Sequence, residues 1–82
     1  MSRKEGQVDR RILAVASKLR VLRKAKGYTS YEKFAWDHEL SRMQYWRMES
    51  GTNFSFTTLL KVLDIHQISL FEFFSDIKTR NP

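Results

Sequence analysis

Val8, Ile12, Val15, Leu19 and Leu22 recur at steps of four, three, four and three residues, which lines apolar side chains along one stripe of a helix. The spacing predicts a helix over roughly Val8 to Lys26. Gly27 stops it, because glycine readily takes the left-handed conformation beyond a helix end, and Lys24 and Lys26 suit the negative end of the helix dipole. Within 82 residues only one core can form around that stripe. Three glycines and one proline are too few for a turn-rich sandwich or barrel, so the expected class is all-α.

Four shorter helices are expected after Gly27. In the second, Phe34, Ala35 and His38 share a face and the helix ends near Glu39. Either Thr29 or Ser30 can cap it: Thr29 makes a capping box with Glu32, whereas Ser30 places Lys33 at the third position. The third helix carries two start signals, since Ser41 with Gln44 fits a capping box and Leu40 with Tyr45 fits a hydrophobic staple. It runs from Arg42 to about Ser50 and ends on Gly51. Ser55 caps a fourth helix whose Phe56, Leu59, Leu60, Val62 and Leu63 provide buried surface. Ser69 with Glu72 opens a fifth helix containing Phe73 and Phe74. Five helices on short loops make one domain over residues 8–77, with a flexible basic arm over residues 1–6 and frayed ends.

The net charge is +6 with a pI near 10.0, which favours an anionic partner. Residues 1–26 hold nine Lys or Arg against two acids, and residues 27–82 hold six against seven. Basicity is therefore concentrated in the leading arm and first helix. Arg3, Lys4, Arg10 and Arg11 are the candidate phosphate contacts. The charged start lacks the apolar stretch of a signal peptide, no run approaches the ~18 apolar residues of a membrane span, and cysteine is absent. A soluble, cytoplasmic protein with no membrane association is expected.

A third helix of barely two turns must be held by packing on one side. Tyr45 and Met48 define its inward direction. At about 100° per residue, Met43 then points outward, flanked by Arg42, Trp46 and Arg47. Arginine can bond guanine O6 and N7 while apolar groups pack on thymine methyls, so this strip suits the major groove of a DNA duplex. It also suits a protein groove, and the flanking arginines and overall charge favour DNA.

Phe34-Ala35, Leu40-Ser41-Arg42, Tyr45, Met48-Glu49 and Gly51, followed by Ser55, Leu59 and Leu70, resemble the Xre family, which includes phage Cro and lambda-type repressors. The resemblance covers about residues 16 to 74. It implies a compact five-helix, lambda-repressor-like domain of bacterial or phage origin, in which helices two and three form a helix-turn-helix. It places Ser41, Arg42, Met43 and Arg47 at groove-facing positions, with Gln44 and Trp46 beside them. Tyr31 falls at a phosphate-contacting position, and it equally fits partial packing against helix three. The resemblance also pairs Arg23 with Glu49 as a partly buried ion pair. The chain departs from the pattern at one extra residue between Gly27 and Phe34, at Glu39 in place of a turn glycine, and at His66-Gln67 in place of leucine-glycine. Glu39 is poorly suited to a left-handed conformation, so an adjusted turn is expected.

Catalysis, a metal and a cofactor have no support: the two histidines are far apart in sequence and no glycine-rich phosphate loop or carboxylate cluster occurs. The expected activity is sequence-specific transcriptional regulation by a homodimer on a palindromic DNA site. Phe71, Phe73, Phe74 and Ile77 supply either the dimer surface or further core. The rival reading is a protein-interaction module, such as an antitoxin-like partner, binding through the aromatic C-terminal surface or through Trp36 and Trp46.

Overall fold

The computed structural model describes residues 9–52 and 54–77, and among these it contains five helices and no strand. Val8, the arm over residues 1–6, Arg3 and Lys4 lie outside the described residues. Helix α1 spans Arg10–Ala25 and starts where the Asp9 carboxylate accepts the Arg11 N–H at 2.8 Å. Leu19 and Ala16 are buried, and Val15 and Leu22 pack against the core from its edge. The chain leaves α1 through Gly27 at φ +100°, where a side chain would be strained.

Helix α2 (Tyr31–Asp37) settles the open choice of cap. The Ser30 hydroxyl accepts the Lys33 N–H at 3.2 Å, leaving Thr29 outside the helix. Helix α3 (Arg42–Ser50) begins on Ser41, whose hydroxyl accepts the Gln44 N–H at 3.3 Å, and ends on Gly51 at φ +81°. Only the serine half of that box forms. Helix α4 (Phe56–His66) starts on Ser55, and α5 (Leu70–Ser75) starts on the complete reciprocal box of Ser69 and Glu72.

The turn between α2 and α3 is not adjusted away from the left-handed conformation. Glu39 takes it at φ +58°, and Gln67 takes it at φ +59° after α4. Both backbones are fixed by hydrogen bonds that close the preceding helix: Leu40 N–H donates to Ala35 at 2.8 Å, and Ile68 N–H donates to Leu63 at 3.1 Å. Closure of the two helix ends thus offsets a local cost of about 1–2 kcal/mol per residue.

Helix α3 is the hub, with α1, α2 and α4 all packed against it and α5 packed on α4. The core is Leu19, Phe34, Ala35, Tyr45, Met48, Leu59, Val62, Leu63 and Phe73. Two expectations for the later helices change. Phe56 and Leu60 are exposed rather than buried, because Leu59, Val62 and Leu63 take the inner face of α4 and Phe56 occupies its first position. Phe73 is fully buried, so it belongs to the core and not to an outer dimer surface, while Ile77 is half-buried against the same core.

Candidate nucleic-acid interface

Tyr45, Met48 and Glu49 face inward from α3 and are buried, whereas Arg42, Met43, Gln44, Trp46 and Arg47 are exposed. Met43 is 60% and Trp46 47% exposed, a large apolar area to leave in water on one short helix. Ser41 is exposed and engaged as the cap. Two of the outward side chains have neighbours within reach. An Arg47 Nη2 lies 3.7 Å from the Met43 sulfur, and an Arg42 Nη1 donates to Glu32 on α2 at 3.3 Å. That ion pair is well exposed and so contributes little to stability.

Two concavities flank the outer face. One of about 300 Å³ lies between α2 and α3 and is lined by Tyr31, Glu32, Arg42, Met43 and Trp46. The other, of about 380 Å³, is lined by Gln44, Arg47, Phe54 and Ser55 and sits where α3 meets the start of α4. Tyr31 is half-buried and packs against the core, in line with the packing expected of it, and it also lines the first concavity.

The buried end of α3 is clamped by α1. Arg23 reaches the Glu49 carboxylate twice, through Nε at 2.7 Å and Nη2 at 3.0 Å, and its Nη1 donates to the Tyr28 carbonyl at 2.9 Å. Arg20 adds a bond to the Glu49 backbone carbonyl at 2.6 Å. The Tyr45 hydroxyl lies beside this pair, buried and without a hydrogen-bond partner, and burial followed by the Glu49 carboxylate keeps it protonated.

Part of the basicity of α1 is therefore engaged within the fold. Arg20 and Arg23 hold Glu49, and Lys18 bonds Asp76 at 2.6 Å. Of the expected phosphate contacts, Arg10 is exposed, while Arg11 makes a two-point pair with Asp9 at 2.7 and 2.9 Å. The roles of Arg20 and Lys18 carried no local signal, since their partners are 29 and 58 residues away.

The two histidines meet around one ring. His38 packs on Phe34 at 4.5 Å and its Nδ1 contacts the Phe34 carbonyl at 2.9 Å, while His66 stacks on Phe34 at 5.4 Å. The His66 Nε2 is buried without a partner, and burial, then the charges of Lys26 and His38, push its pKa down to about 4. Asp37 instead faces Tyr28 and Lys33, and the Tyr28 hydroxyl holds its carboxyl below the usual range. Among the described residues, no three His, Asp or Glu side chains are placed to share a metal ion. Nor, among them, is any helix long and apolar enough to cross a membrane.

No family model, no curated protein and no solved structure matches the chain.

Proposed function

We propose that this chain is an Xre-like helix-turn-helix transcriptional regulator that reads the major groove of double-stranded DNA with the outer face of α3. One observation carries the reading. A two-turn helix is fixed from behind by Tyr45, Met48 and the Arg23–Glu49 pair, while Arg42 and Arg47 stand exposed at the two edges of its opposite face. A helix held in this way has its backbone ordered before binding, so only its outward side chains remain to be ordered. An α-helix fits the major groove, and guanidiniums match the acceptor pair of guanine there. Tyr31 and Ser41 stand at the starts of α2 and α3, where backbone N–H groups and hydroxyls suit phosphate contacts.

One short helix contacts few base pairs, so the reading includes a homodimer on a palindromic site, with the two copies of α3 about 34 Å apart. Phe71, 81% exposed, and Phe74 on α5 supply its surface. Cytoplasmic, nucleoid-associated action follows from this role.

Trp36 favours a second reading as a protein-interaction module. It is 81% exposed beside a concavity of about 560 Å³ lined with Glu32, Lys33, Leu40 and Arg42. Enrichment from a pool of random duplexes, followed by titration of the winner at low and moderate salt, tests the first reading. A selected motif whose affinity falls steeply with salt is the expected result. Enrichment of no motif overturns it in favour of a protein partner.

A further inference from the structure

We propose that Met43 and Trp46 form a receptor for the C5 methyl group of a pyrimidine, so that the chain selects a thymine or 5-methylcytosine next to a guanine. The inference rests on the DNA-binding reading above and narrows its substrate.

At about 100° per residue, the order around the outer face of α3 is Arg42, Trp46, Met43, Arg47. The two exposed apolar side chains thus lie between the two guanidiniums. The 3.7 Å approach of the Arg47 Nη2 to the Met43 sulfur shows that cation and thioether occupy adjoining space. Arg42 meets the same apolar pair in the concavity between α2 and α3.

In the major groove the one apolar substituent that projects from a base pair is the C5 methyl. The other substituents there are donors or acceptors, and a bare C5–H, as on cytosine, buries much less apolar surface. A polar edge pressed against Met43 or Trp46 would lose water without gaining a hydrogen bond. The methyl group has nothing to lose and buries apolar surface on both sides. An arginine beside it then reaches the O6 and N7 of the neighbouring guanine. Thymine and 5-methylcytosine present the same methyl group, and the Watson–Crick donor or acceptor beside it separates them.

The test uses the full chain and a duplex selected from a random pool. In the winning duplex each thymine is replaced in turn by deoxyuridine, which removes only the methyl. At the sensitive position, cytosine and 5-methylcytosine are then compared, each paired with guanine. Burial of one methyl is worth about a three- to fivefold change in Kd. We expect that loss for at least one deoxyuridine position adjacent to guanine, and Met43→Ser with Trp46→Gln should weaken binding of the thymine duplex and remove its advantage over the deoxyuridine duplex. A methyl-dependent gain on going from cytosine to 5-methylcytosine identifies the methyl itself as the determinant; a gain absent there but present for thymine confines the receptor to thymine. A duplex that binds equally well with every thymine replaced overturns the inference and leaves the DNA-binding reading intact. If no duplex is enriched, both fall.

Discussion

The Arg23 guanidinium meets the Glu49 carboxylate edge to edge, with two hydrogen bonds of 2.7 and 3.0 Å joining the last turn of α1 to the end of α3. Both side chains are buried. Removing either partner strands a charge, which costs about 3–5 kcal/mol. Total stability for a chain of this length is roughly 4–12 kcal/mol. Glu49→Ala should therefore lower the melting temperature steeply, and Arg23→Lys should also destabilise because a single ammonium cannot make the paired contact. A Glu49→Ala melting temperature equal to that of the parent would refute the clamp.

The partly buried imidazole of His66, whose Nε2 is fully enclosed, makes stability depend on pH. Its folded pKa, about 4, lies below the usual 6.5, so the folded state disfavours the charged form. The unfolded chain then binds more protons between these values. The contribution is complete above pH 6.5 and is lost as pH falls toward 4, on the order of 2 kcal/mol. Urea titrations across that window should show the decline for the parent, and His66→Leu should flatten it.

Glu39 and Gln67 both sit in the left-handed region without being glycine. Glycine relieves about 1–2 kcal/mol of steric cost and returns roughly 0.5–1 as unfolded-state entropy. Glu39→Gly and Gln67→Gly are each expected to stabilise by about 0.5–1 kcal/mol, a rise of a few degrees in melting temperature. A drop in either would mean that its side chain, and not its backbone, matters there.

Much of this was legible before any coordinates. The caps at Ser41, Ser55 and Ser69, the stop at Gly51 and the inward pair Tyr45 and Met48 follow from local spacing, because such signals act within one or two turns, whereas Glu49 follows only from the family resemblance. What was hidden depends on contacts distant in sequence. Nothing near Phe73 distinguishes it from Phe74, yet one is buried and the other is exposed. The convergence of His38 and His66 on Phe34 likewise depends on how α2 and α4 pack. The cluster of positive charge on α1 also looked more available than it is, since the acceptors of Lys18 and Arg20 are Asp76 and the Glu49 carbonyl, far along the chain.

Arg42→Ala and Arg47→Ala should each weaken binding to a selected duplex by about 1–3 kcal/mol, with relaxed preference at one base pair. Losses of equal size on all sequences would instead make these arginines phosphate contacts. Neither change should move the melting temperature by more than a degree or two, because both side chains are exposed.

Phe71 is the most exposed of the apolar side chains of α5 and is not one of those packed against the core. Phe71→Ser should leave the fold intact and shift sedimentation from dimer toward monomer at equal concentration. A parent that sediments as a monomer at all concentrations would remove α5 from the assembly.

The clamp by Arg20 and Arg23 has an architectural outcome. Since the same Arg23 also bonds the Tyr28 carbonyl ahead of α2, one guanidinium sets both the approach to α2 and the far end of α3. The scaffold is thus independent of what α3 displays outward. Randomising positions 42, 43, 46 and 47 together should therefore yield proteins that share one thermal transition, whatever side chains α3 then carries outward.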